Sequence, residues 1–312
     1  MKLKHLQALQ AVAESGSIQE ASRRLCVTQP AVSRTIRELE AELGLPLLIR
    51  TSRGATLTDY ANHIVKRACV IDREIAKIGE YADETRGVLN GRLSIGLTPP
   101  TASTALLNTI AEFASARPNV DLRILELRTH QIEDGLRDGT IDIGIVTHFS
   151  DVETFPYQSD VLYRTDMMLA IGQPYSGPTT LPIAELRMLP WLTLDLVFDQ
   201  NSFISVLTGS GGLPPPERII RCASATLYLG LAKRIRAVSI FTAAVIGYLQ
   251  DTFDAGEMHR LIPQEGMPRM TARLAYVDRD LMTAPARDFA VWLRSRIAKD
   301  QITIDRKNLF FV

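Results

Sequence analysis

Gln29, Ser33 and Arg37 recur every four residues, with Arg34 beside Ser33. On a helix this spacing puts an amide, a hydroxyl and guanidinium groups on one face. Such groups fork onto base edges or bind phosphate oxygens in a DNA major groove. An ordinary solvated helix face is the plainer alternative. Downstream, Arg50, Thr51, Ser52 and Arg53 crowd a polar stretch between apolar residues. That is the composition of a hairpin tip, with Gly54 at the turn. A basic hairpin beside a groove-reading helix is a wing, placed for phosphates or a neighbouring groove. Taken alone it would be an arginine-rich turn.

Two helices must position these groups. Gly16 ends a first helix, and Ser17 with Glu20 has the spacing of a capping box for the next. Thr28 is placed to cap the helix that carries Gln29, and Pro30 falls in its first turn, where a missing N–H costs little. Val32, Ile36, Leu39 and Leu43 recur at helical spacing opposite the polar residues and must bury. Beyond Thr58 the periodicity changes. Ala61, Ile64, Ala68, Ile71, Ile75, Ile78 and Ala82 follow at alternating steps of three and four, with Lys66, Arg67, Asp72, Arg73, Glu74 and Lys77 on other faces. A helix over 59–86 is roughly 40 Å long at about 1.5 Å per residue. So long a stripe calls for the same helix of a second chain; the alternative is a core helix of one domain. Gly87 and Gly91 mark the end of a linker.

The 312 residues are neutral overall, which argues against a nonspecific polyanion binder. Residues 1–67 carry ten Lys or Arg against six Asp or Glu, a local balance of +4 that suits DNA contact without a large salt-driven component. The five histidines (5, 63, 130, 148, 259) lack metal spacing, so no metal site is expected. Cys26, Cys69 and Cys222 imply no disulfide framework and fit a reducing cytosol. Cys26 and Cys69 read as small packed residues; Cys222 could sense oxidants but has no resolving partner nearby. Gly209-Ser-Gly-Gly-Leu-Pro-Pro-Pro216 lacks the Gly-Lys-Ser/Thr of a phosphate loop. There is no Ser-x-x-Lys, no Gly-x-Ser-x-Gly and no acid–base cluster, so no catalytic residue or cofactor is assigned. No apolar run approaches 18 residues and no signal segment opens the chain, so no membrane partner is expected.

The N-terminal ninety residues resemble the LysR-type transcriptional regulators. The resemblance rests on Leu3-Lys-His-Leu-Gln-Ala-Leu, Gly16-Ser-Ile-Gln-Glu-Ala-Ser, Leu25, Thr28-Gln-Pro-Ala-Val-Ser-Arg, Ile36-Arg-Glu-Leu-Glu, Leu43-Gly-Leu-Pro-Leu, Arg50 and Leu57-Thr58. It implies that Gln29, Pro30, Ser33, Arg34 and Arg50 lie at a DNA surface, with Arg37 and Arg53 added from the helix face and the hairpin tip. It continues more weakly through Leu136-Arg-Asp-Gly-Thr-Ile-Asp142 and Ile143-Gly-Ile. Leu48 stands where the family usually has Phe, and Ala61 where it often has Gly. Ile235-Arg-Ala237 and Val238-Ser-Ile-Phe-Thr242 replace the family's Gly-x-Gly and a stretch ending in Pro. Lys233, Arg234 and Arg236 cluster there, either as an attraction for an anion or as a solvated helix end.

In the remaining two-thirds, strand patterns at 92–97, 120–127 and 141–146 alternate with helix patterns at 101–116 and 130–138, predicting a largely parallel sheet. A second strand series runs through 167–171, 192–194, 219–221, 238–241 and 273–277, and a helix over 285–297 closes it. The resemblance implies that this last piece returns to the first subdomain, giving chain crossings near 163 and 267 and a periplasmic-binding-protein-like effector cleft. Strand C-ends and helix N-termini are where a small anion binds. Thr98, Thr101, Thr129, Phe203 and Thr226 line the cleft by resemblance, and Thr147 and His148 by their place at a strand end. Each hydroxyl is equally readable as a helix cap.

The expected architecture is therefore α+β overall. It comprises a winged helix-turn-helix at 1–58, a dimerisation helix at 59–89 and a two-subdomain α/β effector domain at 90–312. Subdomain I is expected over 92–163 and 268–300, and subdomain II over 164–267. The expected function is a sequence-specific, effector-controlled transcriptional regulator in the cytoplasm, not an enzyme. Its expected partners are double-stranded operator DNA, a small-molecule effector that is an organic anion, itself as a homodimer or homotetramer, and RNA polymerase. Rival readings are an enzyme on an α/β fold and a solute-binding module without DNA function; the second leaves residues 1–58 without a role.

Overall fold

The computed structural model describes residues 1–51, 54–87, 89–149, 156–194 and 202–308. These divide into two compact units, Met1–Gly87 with Arg137–Thr140, and the remainder. The first unit contains α1 (Leu3–Ser15), α2 (Ile18–Arg24), α3 (Gln29–Leu43), β1 (Leu48–Thr51), β2 (Gly54–Leu57) and α4 (Asp59–Thr85). Leu9, Val12, Ala21, Val32, Ile36, Leu39, Leu47 and Ala61 form its core. Burial of this apolar stripe holds the short helices together, since seven residues of α2 would not be helical alone.

Ser17 caps α2 by accepting from the Glu20 amide at 3.1 Å. The reciprocal half of the expected capping box is missing, because the Glu20 carboxylate pairs with Arg23 at 3.0 Å instead. Cys26 is exposed rather than packed, and its φ of 53° lies in the left-handed region. It ends α2 in a Schellman arrangement, with Val27 N donating to Ser22 O at 3.0 Å. A residue with a Cβ there costs about 1–2 kcal/mol. The wing is pinned to α3 by Glu40, whose carboxylate accepts from Leu47 N at 2.8 Å and Leu48 N at 3.3 Å. Gly54 is the first residue of β2, opposite Thr51, and is not itself in a turn; residues 52 and 53 lie outside the described residues.

In α4 the stripe divides. Ala61 and Ala68 are fully buried, whereas Ile71, Ile75 and Ile78 are 39%, 45% and 71% exposed.

The second unit runs β3 (Gly91–Leu97), α5 (Thr104–Ala116), β4 (Val120–Glu126), α6 (Thr129–Asp138), β5 (Ile143–His148), β6 (Gln158–Gly172), β7 (Thr180–Leu181), α7 (Ile183–Leu186) and β8 (Trp191–Thr193). It continues with α8 (Phe203–Gly209), β9 (Ile219–Arg221), α9 (Ala225–Arg234), β10 (Val238–Thr242), α10 (Ile246–Asp254), β11 (Met258–Pro263), β12 (Arg269–Tyr276) and α11 (Ala284–Asn308). Strand order is β4-β3-β5-β12-β6-β10-β8-β9, with β11 also on β6 and β7 on β11. One face of the first half, with Leu93, Ile95, Ile143 and Ile145, packs on Phe113 of α5 and Phe289 and Leu293 of α11. The other holds Ile132 and Leu136 of α6. The second half has its own two cores, around Trp191, Ile204 and Leu207, and around Leu192, Tyr228 and Phe241.

The strands on which the parallel expectation rested do pair in parallel, and the antiparallel pairings are those of β6 and β12. β3 with β4 and β5, and β8 with β9 and β10, are parallel. β6 and β12 run antiparallel to their neighbours, because they carry the chain across and back. β6 is fifteen residues long, far more than the expected 167–171. Its first part, Gln158–Asp166, pairs with β12; its second, Met167–Ile171, pairs with β10. Between Ala272 and Arg273 the β6–β12 register shifts, leaving Leu162 as the extra residue of a bulge. Residues 101–103 also differ from expectation: Pro99–Thr101 form a single 3-10 turn and Ser103, not Thr101, caps α5.

The return of α11 to the first half is fastened by Asp160 on β6. Its carboxylate accepts from Tyr276 at 2.7 Å and Arg279 at 2.5 Å, and pairs with Arg294 of α11. Burial alone would raise this carboxyl; the Tyr276 and Arg279 hydrogen bonds, with the charges of Arg294 and Arg279, outweigh it and hold the group below its ordinary value. A depressed carboxylate stabilises above its unfolded pKa of about 3.9 and loses that contribution as pH falls through the lower folded value. Asp160→Asn should therefore cost on the order of 1 kcal/mol at neutral pH. The difference from wild type should shrink below about pH 4, as measured by urea unfolding across pH.

Candidate nucleic-acid interface and effector cleft

Thr28 caps α3 by accepting from Ala31 N at 3.4 Å. With Val32, Ile36 and Leu39 turned into the core, the opposite face is left to Gln29, Pro30, Arg34 and Arg37, all exposed, and Ser33, half-buried. The five residues expected on this helix therefore share one accessible surface at its first turns. Arg34 is 82% exposed at its side chain and donates Nε to Glu38 Oε1 at 2.9 Å. That hydrogen bond, aided by the charges of Lys4, Arg34 and His5, holds the Glu38 carboxyl below its ordinary value. Arg50 sits on β1 opposite Ala55 in the wing ladder, and Arg53 lies outside the described residues.

In the second unit, pairing registers locate the strand ends. On the first sheet half, Thr147 and His148 of β5 stand opposite Ala272 and Thr271 of β12, which in turn face Tyr163 and Arg164 of β6. On the second half, Thr242 of β10 stands opposite Met167 of β6. The two edges are thus separated along β6 by the three residues from Arg164 to Met167, about 10 Å at strand rise.

The Thr98 and Thr147 hydroxyls meet at 3.2 Å on the first edge, with His148 next in the chain. Thr129 opens α6, half-buried. Three expectations change. Thr101 is fully buried and its hydroxyl donates to Thr98 O at 2.6 Å, so the group serves the turn rather than a ligand. The same corner has few free amides, since Pro99 and Pro100 have none and Thr101 N and Ala102 N are bonded within it. Phe203 is 1% exposed; it packs edge-to-face on Phe149 at 5.4 Å and belongs to the core beneath the second sheet half, not to an open wall. Thr226 is exposed in the first turn of α9, where Ser224 is the cap. Lys233 and Arg234 are occupied, by Glu257 at 3.1 Å and by Gly230 O at 2.9 Å. Cys222 Sγ donates to Ser224 O at 3.4 Å.

Two residues were missed. Tyr163, on β6 level with Thr147 at the first edge, donates to Thr101 O at 3.2 Å; burial first, against a hydrogen bond with Ser103, pushes its phenol up to about 12. Thr242 Oγ1 is buried and has no hydrogen-bond partner among the described residues. It lies on the β10 face of Val238 and Ile240, which pack in the cluster containing Phe203. The sequence signal was the hydroxyl standing where the family pattern has Pro. Among the described residues, no group of three or more His, Cys, Asp or Glu is placed to hold a metal ion.

Residues 3–62 match the bacterial regulatory helix-turn-helix protein, lysR family, and residues 86–298 match the LysR substrate binding domain. The chain belongs to the LysR family. Among relatives, it is 35% identical over 175 residues to the uncharacterized HTH-type transcriptional regulator YoaU of Bacillus subtilis, covering 56% of this chain and 59% of that one. It is 30% identical over 197 residues to the hydrogen peroxide-inducible genes activator of Haemophilus influenzae, covering 62% and 65%. The matched stretch thus spans under two-thirds of those relatives. In fold, this LysR-family chain resembles full-length CbnR complexed with its target DNA, with a TM-score of 0.66 at 23% identity, covering 95% of this chain and 100% of that one.

A buried, unpaired hydroxyl is unfavourable in the ligand-free protein by about 1–3 kcal/mol. Thr242→Val keeps the shape and removes that penalty, so the ligand-free melting temperature should rise. A fall would mean that the hydroxyl is bonded in solution.

Proposed function

We propose that this LysR-family protein is a DNA-binding transcriptional regulator whose activity follows a small-molecule effector. The observation that carries the reading is the exposed polar face of α3, with Gln29, Ser33, Arg34 and Arg37 on a helix whose other face is locked into the core. The structural resemblance to CbnR on its target DNA supports the same use of the unit. In this reading Arg34 and Gln29 contact base edges, and the wing arginines Arg50 and Arg53 contact phosphates.

The effector binds between the two strand-end edges, with Thr98, Thr147, His148 and Thr242 as its polar contacts. Organic acids are the class to test first: hydroxyl donors are present, and Asp166, the carboxylate on β6 between the two edges, is paired with Arg269 at 2.9 Å. Binding that favours one arrangement of the two sheet halves shifts the population toward it. The names of some relatives suggest peroxide sensing instead. Against a disulfide switch, Cys222 is the sole cysteine of the second unit, so no second thiol of that unit can resolve its oxidation.

A homodimer is formed along Ile71, Ile75 and Ile78 of α4, whose exposure leaves an apolar stripe without cover in one chain. Ile75→Asp should halve the sedimenting mass and weaken DNA binding, because it buries an unpaired charge in that seam. Unchanged mass and affinity would return the stripe to a solvent-facing role. A mobility-shift assay with the gene's own upstream DNA tests the regulator reading directly. Arg34→Ala should weaken that complex by about 1–3 kcal/mol and leave random DNA nearly unaffected; equal losses on both would remove base reading from Arg34.

A further inference from the structure

Glu38 divides its two carboxylate oxygens between two helices. Oε1 accepts from Arg34 Nε at 2.9 Å, one turn earlier on α3. Oε2 faces α1, at 3.5 Å from His5 Nε2 and 3.9 Å from Lys4 Nζ. His5 is itself nearly buried and also faces Glu42, which the N-terminal amine of Met1 pairs. An isolated i,i+4 ion pair on an exposed helix orders little. Here the carboxylate also faces a second helix, at ion-pair rather than hydrogen-bond distance.

The choice of nitrogen matters. Guanine offers O6 and N7 to a planar fork of two donors. Arg34 uses Nε on Glu38, its one hydrogen bond among the described residues. Both terminal nitrogens remain available at the end of a side chain that is 82% exposed. A free arginine loses much rotamer freedom when it docks, and less if its fork is already oriented. A carboxylate this close to DNA is otherwise unfavourable, since it repels phosphate.

We propose that Glu38 is a positioning residue for base reading: hydrogen-bonded to Arg34 Nε and facing Lys4 and His5 of α1, it orients the Arg34 guanidinium end-on toward a guanine edge. The inference rests on the reading of α3 as the DNA-reading helix.

The test uses the full-length protein and a pool of duplexes with a randomised core, selected and sequenced, followed by anisotropy titration on the selected duplex and on the unselected pool at one salt concentration. Glu38→Ala should lose base preference at the same position that Arg34→Ala loses. Its affinity for the selected duplex should fall about tenfold, and much less for the pool. Glu38→Gln keeps an acceptor for Nε and should restore most of the preference. The double variant should be no worse than Arg34→Ala alone, since the two act as a unit. If Glu38→Ala does not fold, Glu38→Asp, which draws the acceptor back by one methylene, carries the same expectation. Affinity that rises equally on both DNAs, as removal of a repulsive charge alone would give, or additive losses with Arg34→Ala, overturns the positioning role. Failure of the wild-type chain to select any motif would instead overturn the reading of α3, and this inference with it.

Discussion

One strand is common to both halves of the second unit, and its register sets what the halves can present to each other. Gln158–Asp166 of β6 is laddered to β12 and Met167–Gly172 to β10 and β11. A ladder has a fixed repeat along the chain, so the distance between the edge bearing Thr98 and Thr147 and the edge bearing Thr242 is set by backbone hydrogen bonds rather than by side-chain packing. The four cores then need only keep each half rigid. Side chains around the join reinforce it: Tyr163 contributes to the cores of both halves, and Phe149, just after β5, meets Phe203 of α8.

The first unit is organised by the opposite logic. No strand ties its helices together; they are held by a small apolar cluster, and the polar face of α3 is what that cluster leaves outside. Local polar groups then refine the geometry. Glu40 fastens the wing, Glu38 occupies Arg34, and Cys26 accepts a left-handed backbone that glycine would adopt more easily. That a non-glycine residue is kept in this turn has no explanation in the surrounding contacts, because its side chain is exposed.

The sequence was most informative where structure is decided within a few residues. Ser17, Thr28 and Thr58 each cap the helix they precede, and the period of Val32, Ile36 and Leu39 marks the buried face correctly. It was least informative where polar residues form strand. Residues 158–166 alternate weakly and contain two aspartates and an arginine, yet they are strand because β12 lies alongside and Asp160 has Tyr276 and Arg279 to bind. Among cleft residues, the strand-end rule placed the Thr98 and Thr147 hydroxyls side by side. It misjudged Thr101, because two prolines delay the start of α5 and turn that hydroxyl inward. It could not judge Phe203, whose burial depends on packing from α7 and β8, distant in sequence.

The bulge at Leu162 gives the protein one tolerant length position inside an otherwise intolerant strand. Side chains on a strand alternate, so adding or losing a residue between Arg164 and Gly172 would exchange the sets facing the two cores of the second half. Met167, Leu169 and Ile171 would trade places with Met168 and Ala170. At Leu162 the ladder already carries an unpaired residue, and its removal would leave an ordinary antiparallel pair with both flanking registers intact. A change of length in this strand is therefore accommodated at the bulge at the least cost, and the spacing between the two strand edges is among the least adjustable lengths of the second unit.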